Sequence, residues 1–338
     1  MKIYIYIIIL FVLGTDLQGQ PNAIYNYYFH DLFLMNPAAA GYNKLCHDFK
    51  AFHRLQWVGM DNAPSTMLFS YQGPISGNFA GGTFAYKDRN GNQSEFGLHQ
   101  AFSYEVFFKK NQRCRFSMTM GLAMSVDQHL IDESEFLDGN NFDPIITGSS
   151  ESGWGYNLST GVLFKYNSYN LGISASNLLN QNNPLFQSPY EPGLPTVYHF
   201  IFGLHFKHPN RELYWEPSVM YRESERFDNR FDINIKGMIP SPTNDFLWFW
   251  GALNYRRTMD YNFGKSLAIA ATVGVAVKSI YAGLEYQFGL TQAQSQFGSA
   301  YQLVLGYRIC KRPYGGIPCS EKDYIMSSGE KYKSKRKR

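Results

Sequence analysis

Beyond its first 13 residues, no stretch of this 338-residue chain is apolar for anything near the roughly 18 residues a membrane helix requires. A bundle of transmembrane helices is thereby excluded. Charge is scarce too: Asp, Glu, Lys and Arg make up 17% of the residues, against about 25% in an ordinary soluble domain. Cysteine is confined to Cys46, Cys114, Cys310 and Cys319 without a CxxC pair, which speaks against a zinc site. These four allow three pairings. Cys310 and Cys319 flank a turn-rich stretch suited to a small closed loop. HExxH, GxSxG and P-loop patterns are missing. An apolar fraction of 44% excludes disorder.

What is abundant is aromatic side chain, 17% of the chain, with 25 Tyr, 27 Phe and 30 Gly. That mixture fits a soluble all-β protein or an outer-membrane barrel. The apolar residues alternate. Over Cys114–Val126, Cys114, Phe116, Met118, Met120, Leu122, Met124 and Val126 oppose Arg115, Ser117, Thr119, Gly121, Ala123 and Ser125. Ile280–Leu290 and Asp228–Gly237 repeat the pattern. A strand has two faces, so each segment meets an apolar medium on one side and a polar one on the other. About fourteen such segments occur, near 43–53, 64–73, 78–87, 95–107, 113–126, 153–166, 169–176, 196–207, 212–222, 228–238, 246–256, 265–277, 279–290 and 298–309.

The connections alternate in length. Gly73–Gly77, Lys109–Gln112, Asn167–Ser168, His208–Arg211, Ile239–Asp245 and Lys278–Ser279 are short. Arg54–Ala63, Asp88–Ser94, Asp127–Ser152, Asn177–Pro195, Arg257–Gly264 and Thr291–Phe297 are longer. Short turns at one end and long loops at the other are the habit of a transmembrane up-and-down barrel. The expected fold is therefore all-β, an antiparallel barrel of about 14 strands over residues 43–310, with both termini on the periplasmic turn side. Tyr71, Tyr86, Tyr166, Tyr169, Trp215, Trp248, Trp250 and Tyr307 fall near strand ends and suit interfacial girdles, or else ordinary packing of a β core.

The ends of the chain differ from this body. Lys2 followed by apolar Ile3–Leu13 reads as a secretory signal, residues 1–19, with cleavage after Gly19. Residues 20–42 are aromatic-rich and read as a segment packed at or in the barrel. Residues 311–338 form a basic tail. Six of its last eight residues are Lys or Arg, and without them the net charge drops from +4 to −2. The tail is either solvated or a docking peptide for an acidic periplasmic partner; nucleic acid is not expected of an exported chain.

Catalytic and metal-binding constellations are sparse. His30, His47, His53, His99, His129, His199, His205 and His208 show no metal-ligand spacing. Ser174 or Ser176 with His199 is the one nucleophile–base pair that neighbouring strands bring close, as in a rim-sited lipid hydrolase. Asp127–Ser152 is acidic enough to attract calcium but lacks the spaced Asp pattern. No cofactor is expected.

Two motifs carry a resemblance. Tyr27–Gly41 runs from aromatics into Leu34-Met-Asn-Pro-Ala-Ala-Ala-Gly41, and Arg54-Leu-Gln-Trp-Val-Gly59 is followed by Ala63-Pro-Ser-Thr66. They resemble the L-x-N-P-A-x-A-G and R-x-Q-W-x-G signatures of the PorP/SprF family of Bacteroidetes outer-membrane proteins. Gly121–Phe136, Tyr169–Leu179 and Phe297–Arg308 are similar to later strands of that family. Gly298-Ser299-Ala300-Tyr301 departs from its usual G-S-H-E, so no role of a His-Glu pair carries over. The resemblance implies a non-enzymatic part in type IX secretion and, in gliding species, motility. The implied partners are the secretion machinery, large surface cargo and outer-membrane lipid. Its candidate structural or partner-binding residues here are Asn36, Pro37, Gly41, Arg54, Gln56, Trp57, Gly59 and Pro64. The alternative is a passive channel or hydrophobic-solute transporter with residues 20–42 as its hatch.

Overall fold

The computed structural model describes residues 27–310 except 61, 111–114, 135–147, 180, 183, 186–192, 209–212, 226–228, 244–246, 260–264, 292–295 and 297. The signal segment, residues 20–26, the basic tail, Cys114 and Cys319 lie outside the described residues, as does most of the acidic loop.

The alternating segments form β1 (Cys46–Gln56), β2 (Ser65–Ser76), β3 (Phe79–Asn90), β4 (Gln93–Lys110), β5 (Arg115–Asp132), β6 (Ser150–Tyr166) and β7 (Tyr169–Ser176). β8 (Val197–Leu204) resumes after His205 as Phe206–Lys207. The wall continues with β9 (Tyr214–Ser224), β10 (Arg230–Pro240), β11 (Leu247–Thr258), β12 (Ser266–Val277), β13 (Ile280–Gly289) and β14 (Ala300–Cys310). Each strand pairs antiparallel with its sequence neighbours. β14 pairs with β1 from Cys46–Cys310 to Gln56–Ala300, so the fourteen strands close and no sheet edge runs the length of the wall.

The period of two sets the two faces. Met120, Leu122 and Met124 of β5 point outward, Leu122 with 68% of its surface exposed. Their neighbours Ser117, Thr119 and Ser125 are buried inside. The same inversion, apolar out and polar in, holds for Ile233 and Ile235 against Asp232 and Asn234. Such a wall is stable only with hydrocarbon around it. Where only water lay outside, these exposed side chains would associate or force a rearrangement.

The register corrects several expectations. Residues 88–94 are not a loop: β3 and β4 run on to a two-residue turn at Gly91–Asn92. Asn-Gly-Asn is strong turn chemistry, and it lets the hairpin extend. β5 likewise continues through Asp132, absorbing the start of the supposed acidic loop. Tyr86, Trp248 and Trp250 are not girdle residues; their positions in the alternation turn them inward, where they are buried. Tyr166, Tyr169 and Tyr307 do face outward near the end that carries the short turns.

Cys46 is bonded to Cys310 rather than leaving Cys310 for Cys319. The closing pair of β1 and β14 brings them opposite one another, which a reading along the sequence does not reveal. The disulfide spans 264 residues and lies at the turn end.

Candidate functional site

Residues 27–42 form no strand. Two one-turn 3₁₀ helices, Leu32–Leu34 and Pro37–Ala39, follow one another, each started by a side-chain cap. Asp31 accepts from the Phe33 N–H at 3.3 Å and Asn36 from the Ala38 N–H at 2.9 Å. Pro37 occupies the first helical position, where it has no donor to lose. Gly41 turns the chain toward β1 with φ of +61°, a left-handed conformation that favours glycine.

The partners of this segment are inward-facing groups of many strands. The Asp31 carboxylate accepts from Ser70 Oγ (2.8 Å) and Gln72 Nε2 (2.8 Å) of β2, and pairs with Lys50 Nζ of β1 (3.1 Å). Asn36 Nδ2 donates to the carbonyls of Val162 on β6 (3.2 Å) and Ile173 on β7 (3.4 Å). Ser103 donates to the Ala40 carbonyl (2.7 Å), Ser174 to that of Met35 (2.6 Å) and Lys165 to that of Tyr42 (3.3 Å). On the opposite arc, Asn234 bonds the Tyr28 hydroxyl and His30 Nε2 meets Glu285 at 3.4 Å. Burial pushes the His30 imidazole below its usual pKa, against the pull of the Glu285 carboxylate.

The wall is shaped to admit the segment. A Cβ on Gly121 of β5 would fall 2.3 Å from the backbone of Pro37 and Ala38. One on Gly161 of β6 would overlap the Asn36 amide. Tyr27 packs on Phe52 and Phe33 on Phe84, with ring centroids 5.0 and 5.5 Å apart.

The chain matches the model of the type IX secretion system membrane protein PorP/SprF over residues 17–307. It belongs to the PorP/SprF family. Similarity to solved structures is at low identity and low TM-score. CdiB from Acinetobacter baumannii shares 10% identity and a TM-score of 0.40, covering 79% of this PorP/SprF chain, which spans only 60% of CdiB. A FadL homologue from Pseudomonas aeruginosa gives 12%, 0.42, 87% and 94% in the same order. The Ralstonia pickettii toluene transporter TbuX gives 11%, 0.43, 82% and 92%. Likeness of this degree does not extend to what those proteins carry. No curated protein matches.

The candidate residues of this PorP/SprF chain fall into three groups: the segment, the wall and the first loop. Asn36, Pro37 and Gly41 belong to the segment just described. Arg54 is buried in the wall, donating to Gln287 Oε1 (2.6 Å) and Gln302 Oε1 (3.5 Å), with Glu285 at 3.9 Å. Gln56, Trp57, Gly59 and Pro64 build the first connection at the loop end. The Gln56 N–H donates to the Pro64 carbonyl (3.0 Å), and the Trp57 N–H to that of Ser299 (3.1 Å), tying this loop to the last one. Trp57 holds a φ of +55°, and Gly59 is exposed.

Sequence reasoning missed Asp31, Lys50 and the Ser70–Gln72 pair, which hold the segment most directly. Asp31, three residues ahead of Leu34 and followed by a short apolar run, carried the cap signal that would have found it. The Ser174–His199 pair is side by side across β7 and β8, but Ser174 gives its proton to the Met35 carbonyl and makes no nucleophile–base bond. Among the described residues, no three His, Cys, Asp or Glu side chains are placed to hold a metal ion.

Proposed function

We propose that this outer-membrane barrel works as a non-enzymatic component of type IX secretion whose lumen is stoppered by residues 20–42, and that it assists export or anchoring of large surface cargo. Both termini are periplasmic in this reading, with the long connections outside. The observation that carries it is the belt of hydrogen bonds from β1, β2, β4, β6, β7, β10 and β13 to residues 28–42. A segment held by so many strands obstructs an open pore, and docks where a periplasmic partner can reach it. Asn36, Pro37 and Gly41 are assigned to seating this stopper, Arg54 to bracing the wall, and Gln56, Trp57, Gly59 and Pro64 to shaping the first external loop. The basic tail is assigned to a periplasmic partner.

Deletion of Gln20–Tyr28 tests the reading. The expected result is a folded barrel with raised ion conductance, lost cargo export, or both. A barrel unchanged in both respects overturns it. A second reading, a carrier of apolar solutes, draws on a cavity of about 220 Å³ beside the segment at the turn end, lined in part by Phe29, Leu32, Trp250 and Tyr281. Uptake of an apolar solute into vesicles containing the purified protein supports that reading; no uptake removes it.

A further inference from the structure

Above the point where β7 stops, β6 has, among the described residues, a neighbouring strand on one side only. β5 pairs with β6 along its whole length to Asp132–Ser150, whereas β7 pairs only from Tyr166–Tyr169 to Thr160–Ala175. The even-numbered residues of β6 direct their backbone groups to the β7 side, because Tyr166 closes the two-residue turn to Tyr169. Past Thr160 the described residues that bond this side belong to the next connection. The Leu178 N–H donates to the Leu158 carbonyl (3.1 Å), and Gln181 Oε1 accepts from the Tyr156 N–H (3.1 Å). Farther out, the Tyr156 carbonyl and both backbone groups of Trp154 and Ser152 have no partner among the described residues.

This edge is braced for pairing. Pro184 backs it so closely that a Cβ on Gly153 would lie 2.2 Å from the Pro184 carbonyl. Trp154 and Tyr156, each 62% exposed, flank the edge on its outer face. Neither Lys nor Pro, the usual guards of an open edge, occurs in Ser150–Leu158. Charge selects the occupant. The described residues from Asp127 to Ser152, on the β5–β6 arm that bears the edge, include Asp127, Asp132, Glu133 and Glu151 and no Lys or Arg.

We propose that the β6 edge from Ser152 to Tyr156 docks an extended, Lys- or Arg-bearing segment of another exported polypeptide, which adds to β6 as an antiparallel strand in line with β7. Backbone bonds supply the attachment, the aromatic shelf covers its apolar side chains, and the acidic arm favours a cationic segment over an acidic one. This deepens the proposed function by giving cargo a place to bind, and rests on it only for the partner's identity.

The test uses the full-length protein in detergent and three synthetic eight-residue probes: alternating Val-Lys, alternating Val-Glu, and Val-Lys with alternate backbone nitrogens methylated. Fluorescence anisotropy is expected to show binding of the first, and losses of about tenfold or more for the other two. The variant Trp154→Pro removes a donor on the open side and none facing β5, so about tenfold weaker Val-Lys binding is expected with the barrel's gel migration unchanged. Equal binding of the methylated probe or of Val-Glu overturns the proposal, whether or not the variant folds. If gene deletion leaves type IX export intact while Val-Lys still binds, the proposed function falls and the edge stands. If deletion abolishes export but no probe binds, the edge falls and the function stands.

Discussion

Lys50 places its ammonium 3.1 Å from the Asp31 carboxylate and 3.2 Å from Asp48, in a part of the wall where all three are buried. This pair ties the N-terminal segment to the first strand. Removing one member of a buried pair costs roughly 3–5 kcal/mol when the other is left uncompensated. Asp48 still neutralises Lys50 in Asp31→Ala, so about 3 kcal/mol is expected, the lower end of that range. The barrel should keep its folded gel mobility while chymotrypsin gains access to Tyr27–Tyr42. Full protection of the segment in this variant contradicts the role given to Asp31.

Gly121 and the outward residue beside it provide a contrast within one strand. Gly121→Val pushes side-chain atoms into the Pro37–Ala38 backbone, and overpacking of this kind costs roughly 1–3 kcal/mol or more. The segment should then lose its seat and become digestible. Met120→Val, facing away from the lumen, should leave protection unchanged. Equal effects of the two remove the cradle.

The lipid face is tested at Leu122. Leu122→Arg places a charge on the lipid face, a substitution that costs up to roughly 2–4 kcal/mol at the bilayer midplane and less toward the interfaces. The folded fraction recovered from membranes should fall, as read by heat-modifiable migration, while Leu122→Phe should match the parent. An arginine variant that assembles normally would mean the strand is turned the other way.

Cys46–Cys310 closes a very long loop at the seam. A disulfide of such span contributes about 2–5 kcal/mol, chiefly by restricting the unfolded chain. Cys310→Ser should lower the temperature at which the barrel loses its compact migration. Nicking an exposed loop of the parent should yield two fragments that separate only on reduction. Fragments that separate without reductant would place the bond elsewhere.

Topology is checked by labelling intact cells. A cysteine or epitope placed within residues 135–147 should react with an impermeant reagent, and one appended after Arg338 should not. Surface reactivity at the C-terminus reverses the proposed orientation.

The wall was legible because alternation is a local property. Met118, Met120 and Leu122 announce their face by spacing alone, and the two-residue turn at Asn167–Ser168 announces itself by length. Face assignment failed where aromatics were judged by position along the strand rather than by parity. Trp248 and Trp250 share the parity of the inward Ala252 and Asn254 and so point inward. The cysteine pairing was not legible, since it depends on the last strand meeting the first. Nor were the partners of Arg54: Gln287 and Gln302 stand more than two hundred residues away and reach it only when the barrel closes. The family motif at Asn36–Gly41 was visible, but not that its capping Asn reaches two strands at once through its amide nitrogen.

Those distances in sequence have a consequence for how the molecule is made. Residues 27–42 precede every strand, yet their receptor is assembled from β1 through β13. A part of the chain made before any strand is therefore one that can be seated only near the end. Until Glu285 is in position, His30 lacks its carboxylate, and until Asn234 arrives Tyr28 lacks its amide. Seating of the segment thus reports completion of the wall, and a protein whose barrel is unfinished presents Tyr27, Tyr28 and Phe33 unsheltered. That exposure distinguishes an immature molecule from a finished one without any further signal.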